Sequence, residues 1–106
     1  MNHSATLRQL QSFISVAEAG NFRRAAARLR VSQPTLSNQV AALEKSLSIQ
    51  VLERSHAGSV LTPAGRDLLP SARRVVEEFQ GFLDRAKSMS RGPVGTFRLG
   101  VTPTLG

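Results

Sequence analysis

The 106-residue sequence contains no cysteine, tryptophan or tyrosine, and its acidic residues are only half as numerous as its lysines and arginines, seven against fourteen. Without cysteine the chain can form no disulfide, no thiolate nucleophile and no Cys-ligated zinc site. It also lacks the roughly 18–20 consecutive apolar residues of a membrane-spanning helix, and its N-terminus lacks the regions of a signal peptide. We therefore expect a soluble, cytoplasmic protein that is stabilised by packing.

Enzyme signatures are missing as well. The sequence contains no G-x-x-x-x-G-K-[ST] motif, no G-x-G-x-x-G motif and no pair of histidines at the spacing of metal ligands. His3 lies near the N-terminus and His56 in a predicted turn, where both are expected to be solvated. The acidic residues between positions 67 and 84 fall on a predicted helix, where solvation and i,i+4 pairing account for them. We expect no catalysis, no metal and no cofactor.

What the sequence has in excess is positive charge. The formal net charge is +7, whereas the apolar fraction of 41% and the charged fraction of 20% are those of an ordinary globular protein. The length suffices for one small domain and an appendage but not for two full domains. A folded, strongly basic domain indicates an anionic partner, with nucleic acid the first candidate and an acidic membrane or acidic protein the second.

The first half of the chain has apolar residues spaced three and four apart, which predicts three short helices. The buried face predicted for the first helix, which Gly20 ends, consists of Leu7, Leu10, Ile14 and Ala17, widened by Phe13 and Val16. The second helix, capped by Asn21, buries Phe22, Ala25, Ala26 and Leu29. The third, capped by Ser32 and with Pro34 in its first turn, buries Leu36, Val40, Leu43 and Leu47.

The second half predicts a hairpin and a long helix. Residues 48–62 contain two short apolar runs around a polar turn, which indicates a small β-hairpin. A helix then begins with Thr62 as N-cap and Pro63 at its first position, and runs to about residue 90, with Pro70 expected to kink it or loosen a turn. Its apolar residues follow heptad spacing, which predicts a dimer interface formed by Leu68, Ala72, Val75, Phe79, Phe82 and Ala86.

The second and third predicted helices have the sequence form of a helix-turn-helix. The amides of Gln33 and Asn38 suit adenine, the hydroxyl of Ser37 can donate or accept, and Pro34 and Thr35 can touch a thymine methyl group. The solvated face of any amphipathic helix would also carry such residues. Seven basic and three acidic residues give residues 1–62 a net charge of +4. Contacts with the DNA backbone are predicted for Arg23, Arg24, Arg28 and Arg30 around the turn and for Arg54 in the hairpin.

Three motifs together carry a family resemblance: Phe22-x-x-Ala25-Ala26-x-x-Leu29-x-Val31-Ser32-Gln33-Pro34-x-Leu36-Ser37, Leu52-Glu53-Arg54 and Leu61-Thr62-x-Ala64-Gly65. From residue 7 to about residue 90 the sequence resembles the N-terminal region of LysR-type bacterial transcriptional regulators. Phe22-Arg23-Arg24-Ala25-Ala26 and the C-terminal Gly100-Val101-Thr102-Pro103 also resemble the peroxide-responsive branch of this family.

The resemblance implies a mainly α-helical fold, a winged helix-turn-helix of three helices and a small hairpin followed by a long linker helix that dimerises antiparallel. It implies base contacts from Gln33, Pro34, Ser37 and Asn38, and backbone contacts from Ser32, Thr35, Arg54 and Thr62. The implied partners are double-stranded DNA with an inverted repeat and a second copy of the chain, with a tetramer in the full-length protein. A small-molecule or redox effector would act only through a further domain.

The resemblance also divides the chain. Residues 1–62 are the predicted winged helix-turn-helix domain, 63–90 the linker and dimerisation helix, 91–95 a hinge, and 96–106 the first strand of a truncated effector-binding domain. Two residues depart from the family pattern: Asn38 replaces a frequent arginine, and Ser48 replaces the usual glycine, where a left-handed turn would cost roughly 1 kcal/mol. The competing interpretation is a basic amphipathic or coiled-coil module that binds proteins or membranes through the long helix.

Overall fold

The computed structural model describes residues 4–55 and 58–91. Its elements in chain order are α1 (Leu7–Ala19), α2 (Phe22–Leu29), α3 (Gln33–Leu47), β1 (Leu52–Ser55), β2 (Gly58–Leu61) and α4 (Pro63–Arg91). The strands pair antiparallel, with Leu52 opposite Leu61. These elements confirm the mainly helical fold with three short helices, a hairpin and a long helix. The strand predicted at 96–106, the hinge beyond its first residue, and both histidines lie outside the described residues.

Each helix begins at a side chain that accepts the backbone N–H three residues further along. These N-cap residues are Thr6, Asn21, Ser32 and Thr62. The last three were predicted from the sequence, whereas Thr6 was not, although it forms a full capping box with Gln9. The caps satisfy N–H groups that have no partner inside a helix and so define where each helix starts.

The first three helices end in left-handed residues, only one of which is glycine. Gly20 closes α1, Arg30 closes α2 with a φ of 59°, and Ser48 closes α3 with a φ of 56°. At the end of α3 the N–H of Ser48 bonds to the carbonyl of Lys45, and the next N–H bonds to the carbonyl of Glu44. This is the Schellman pattern, and α2 ends in the same way. Ser48 thus adopts the left-handed conformation whose cost was considered from the sequence, whereas the one at Arg30 was not foreseen.

The core lies between the first three helices, the foot of the hairpin and the start of α4. Its most deeply buried side chains are Phe13, Val16, Leu36, Leu43 and Val51. The predicted buried face of α1 is confirmed with a shifted centre: Phe13 and Val16, predicted at its margin, are fully buried, whereas Leu10, Ile14 and Ala17 are partly buried and pack against the core.

Two leucines predicted as buried, Leu29 and Leu47, are 38% and 36% exposed. Each is the last residue of its helix, where the chain turns away from the core. In both helices the apolar residues at helical spacing therefore continue one residue past the part of the helix that is buried.

The long helix α4 runs through Pro70 as continuous α-helix. Its first part belongs to a compact unit that ends at Val76, and a second unit begins at Glu77. Leu69 and Ala72 are buried in the core of the first unit, and Leu68 packs against that core. Leu68 and Ala72 were both predicted at a dimer interface, but Ala72 is already buried by its own domain, and Leu68 is partly buried against the same core. Heptad spacing predicts that one face of a helix is buried, but it does not show whether the same chain or a partner chain buries that face.

Candidate nucleic-acid interface

The start of α3 presents a polar surface. Gln33, Pro34 and Asn38 are exposed, whereas Leu36 and Val40 on the opposite side of the helix are buried. Pro34 lies in the first turn, where a missing N–H costs no helical hydrogen bond. The core therefore fixes the orientation of α3 and leaves these three side chains free to meet another molecule.

The hydroxyls of Ser32 and Thr35 bind each other at this helix start. The Oγ atom of Ser32 accepts the N–H of Thr35 at 3.1 Å, and it donates to the Oγ1 atom of Thr35 at 2.7 Å. A phosphate oxygen is an acceptor and needs a donor from the protein. In this arrangement the hydroxyl hydrogen of Thr35 is free to donate to a phosphate, while that of Ser32 is engaged within the pair.

The guanidinium of Arg54, on β1, joins the hairpin to both helices of the helix-turn-helix. It lies 3.9 Å from the centroid of the buried Phe22 ring on α2, a cation–π arrangement. Its Nη2 atom also donates to the Oγ atom of Ser37 on α3. Arg54, Gln33, Pro34 and Ser37 thus line one depression on the surface. Sequence reasoning missed Phe22 as the support of this arginine, because 32 positions separate them.

The end of the hairpin next to its turn is attached to the connection between α1 and α2. The N–H of Ser59 donates to the carbonyl of Gly20 at 2.9 Å. Gly58 has a φ of 130°, and a Cβ atom there would overlap the same carbonyl oxygen. Only glycine therefore permits this close approach, which brings β2 against the helical core.

The opposite end of the hairpin, where β1 begins and β2 ends, is attached to α3 by Glu44 and to the start of α4 by Thr62. The Oε2 atom of Glu44 on α3 accepts the N–H groups of Val51 and Leu52, at 2.9 and 3.2 Å. The hydroxyl of Thr62 donates to the carbonyl of Gln50 at 2.6 Å. The Thr62 hydroxyl therefore attaches the hairpin to the start of α4 in this structure, and its predicted contact with the DNA backbone stays a prediction.

The four arginines around the turn are all exposed: Arg23, Arg24, Arg28 and Arg30. The structure brings Arg23 to the rim of a depression that Gln33 and Arg54 also line. Arg24, Arg28 and Arg30 do not line it. A separate depression between α1 and α3 is lined by Arg8, Gln11, Thr35 and Gln39. Neither Arg8 nor Gln39 was predicted at the interface, although Gln39 follows Thr35 by one helical turn.

Comparison with known proteins shows which protein family has this arrangement. The family model described as "Bacterial regulatory helix-turn-helix protein, lysR family" matches residues 7–66. The chain belongs to the LysR family. Its fold is the winged helix-turn-helix with a long C-terminal helix that characterises the DNA-binding domains of LysR regulators.

Individual LysR relatives are similar over most of the chain. The transcriptional regulator TcbR of Pseudomonas sp. (strain P51) is 51% identical over 83% of the chain, which spans 30% of the length of TcbR. OxyR of Corynebacterium glutamicum is 41% identical with a TM-score of 0.80, over 83% of the chain and 28% of OxyR. A solved complex of CbnR_DBD with DNA is 48% identical with a TM-score of 0.74, over 80% of this chain and 98% of that one. The chain thus spans about a third of the length of full LysR regulators such as TcbR.

Within residues 4–55 and 58–91, no three His, Cys, Asp or Glu side chains lie close enough together to hold a metal ion. In the same residues no helix combines the length and the apolar character needed to cross a membrane.

Proposed function

We propose that this chain is the DNA-binding domain of a dimeric transcriptional regulator that acts in the cytoplasm and catalyses no reaction, with α3 reading bases in the major groove. The observation that carries the proposal is the division of α3 into two faces. Leu36 and Val40 hold the helix in the core, while Gln33 and Asn38 project their amides into solvent. A helix held in this way can enter a groove without giving up any packing, and its amides match the hydrogen-bonding edge of adenine.

Backbone contacts in this proposal come from the arginines around the turn and from the hydroxyl pair of Ser32 and Thr35. Arg23, Arg24, Arg28 and Arg30 are exposed and make no ion pair among the described residues. These arginines lie on α2 and at its C-terminal end, just before α3, where they can contact phosphates and position the recognition helix without specifying sequence.

Solved relatives support this assignment. CbnR_DBD and BenM_DBD have each been solved with DNA, and at 48% and 33% identity each aligns over nearly its whole length with this chain. Family membership favours DNA binding over the competing interpretation of a protein- or membrane-interaction module.

The second part of the proposal is a homodimer formed through α4 that places two copies of α3 on an inverted repeat. Phe82 is 66% exposed and Met89 is 72% exposed, and Phe79 is also exposed. Soluble chains rarely leave several large apolar side chains of one helix in water. With Ala72 buried and Leu68 partly buried in the domain itself, the proposed interface is centred on Val75, Phe79, Phe82 and Ala86.

The dimer is tested by sedimentation of the Phe79→Asp variant, which should be a monomer because a charge is placed within an apolar contact. Ser88→Asp adds the same charge to an exposed polar position of the helix and should leave the dimer intact. An unchanged dimer in the Phe79→Asp variant would remove Phe79 from the interface.

DNA binding is tested by selecting bound sequences from a random oligonucleotide pool and then measuring affinity for the selected site by fluorescence anisotropy. Specific binding should survive excess random competitor DNA, and log K should fall by about 0.9 per phosphate contact for each log unit of salt. Gln33→Ala should reduce the preference for the selected site by roughly 1–3 kcal/mol, since it removes a base contact. Gln80→Ala, the same change on α4, serves as the matched control.

Arg28→Ala should instead weaken binding to all sequences alike, because phosphates are present at every site. Equal losses on selected and random DNA for Gln33→Ala would contradict its assigned role. Complete loss of preference in the unmodified protein under competitor would contradict base recognition as a whole.

A further inference from the structure

Ser37 differs from the other proposed base-contacting residues because its hydroxyl already has a partner within the chain. The Nη2 atom of Arg54 donates to the Ser37 Oγ atom. A guanidinium has five N–H donors and no acceptor, and it stays protonated in proteins. In this pair the Ser37 oxygen must therefore accept, whatever the orientation of its own hydrogen.

The position of Arg54 is supported from a second side. Its guanidinium lies over Phe22, whose ring is 6% exposed and belongs to the core. Phe22 lies at the start of α2 and Ser37 on α3, so the arginine contacts both helices of the helix-turn-helix. An arginine side chain that is already held by a buried ring and by a hydrogen bond loses less conformational entropy on binding DNA than a fully solvated one.

Resting on the proposed function, we propose that Arg54 is a positioning residue that makes Ser37 a hydrogen-bond donor toward DNA. A serine hydroxyl can normally donate or accept, so it discriminates poorly between bases. With one lone pair engaged by a cation, the hydroxyl keeps its hydrogen for the groove and becomes a better donor, and the positive charge beside it makes its second lone pair a poorer acceptor. Ser37 then selects base edges that present an acceptor.

The four bases differ in whether their major-groove edges present a hydrogen-bond acceptor. Acceptors are N7 and O6 of guanine, N7 of adenine and O4 of thymine, whereas cytosine presents the N4 amino donor. The positive charge of the nearby guanidinium acts in the same direction, because it repels an amino group and attracts an acceptor. Cytosine is thus the base that this pair disfavours most at the position contacted by Ser37. The remaining N–H groups of Arg54 stay available for a phosphate.

The experiment first locates the base pair concerned, as the position in the selected site where Ser37→Ala loses preference. Affinities are then compared for all four bases at that position. The unmodified protein should bind cytosine there roughly tenfold more weakly than the best acceptor-bearing base, the discrimination of one good contact. Arg54→Gln should abolish this difference while preferences at other positions persist, because a glutamine amide can accept as well as donate and so releases the constraint. Arg54→Lys, which retains a charged donor, should restore it.

The outcomes separate this inference from the proposed function. If Arg54→Gln lowers affinity for all sequences equally and the discrimination against cytosine remains, Arg54 only contacts phosphate and the inference is overturned, although DNA reading stands. A preference for cytosine in the unmodified protein overturns the inference without any variant, even if Arg54→Gln fails to fold. Loss of preference at every position in the unmodified protein would instead contradict the proposed function itself.

Discussion

Replacing Ser48 with glycine should stabilise the protein, and the structure allows the size of the effect to be worked out. Ser48 is exposed and has φ and ψ of 56° and 33°, in the left-handed region. That conformation costs a residue with a Cβ atom roughly 1–2 kcal/mol, and glycine avoids the cost. Glycine in turn loses more backbone entropy on folding, by roughly 0.5–1 kcal/mol. The difference favours glycine by roughly 0–1.5 kcal/mol, with a central value of about 0.5–1 kcal/mol.

A matched control lies two residues earlier on the same helix. Ser46 lies within α3, so Ser46→Gly makes the same chemical change in a helical conformation. There glycine gains nothing from its freedom and should cost about 0.5 kcal/mol, the difference in helix propensity. The two variants should therefore change the free energy of unfolding in opposite directions.

The measurement is urea unfolding followed by circular dichroism at one fixed protein concentration, since association affects apparent stability. Thermal unfolding provides a second readout, in which a gain of 1 kcal/mol raises Tm by roughly 4–8 °C for a domain of this size. If Ser48→Gly destabilised the protein as Ser46→Gly does, backbone strain at the end of α3 would be refuted.

Three further predictions concern a second left-handed helix end and two contacts that attach the hairpin. Arg30→Gly should stabilise the fold by a similar roughly 0.5–1 kcal/mol, because Arg30 is also left-handed, and should weaken binding to all DNA sequences; unfolding and anisotropy together check the opposite signs. Gly65→Ala should destabilise by at least roughly 1–3 kcal/mol, because a Cβ atom there would overlap the carbonyl oxygen of Val51, and unchanged urea unfolding would contradict this. Glu44→Ala should cost roughly 1–3 kcal/mol by leaving two N–H groups at the foot of the hairpin without their acceptor, whereas Glu44→Gln should restore most of the loss.

The elements that the sequence predicted well are those determined by neighbouring residues. Asn21, Ser32 and Thr62 cap their helices through a backbone N–H only three positions away, and Pro34 has its role because of its place in the first turn. Such contacts depend on local conformation, so a short stretch of sequence contains the information that specifies them.

What the sequence did not predict depends on contacts between distant residues. Arg54 was expected at phosphate, but its contacts with Ser37 and Phe22 arise only when the hairpin packs beside both helices. Leu68 was assigned to a partner chain because heptad spacing does not distinguish a partner from the chain's own core. The left-handed Arg30 was missed because a hydrogen-bonded helix end can impose that conformation on a residue that does not favour it.

The division of α3 into a buried and an exposed face also has an evolutionary consequence. Gln33 and Asn38 make no side-chain hydrogen bond among the described residues, and both are exposed, so substitutions there other than proline or glycine should change stability by no more than about 0.5 kcal/mol. Pro34 and Ser37, by contrast, also serve the helix start and the hairpin. Under the proposed function, changing the codons of Gln33 and Asn38 would give a gene duplicate a new target sequence, and a combinatorial library of residues other than proline at the two positions should consist almost entirely of folded proteins.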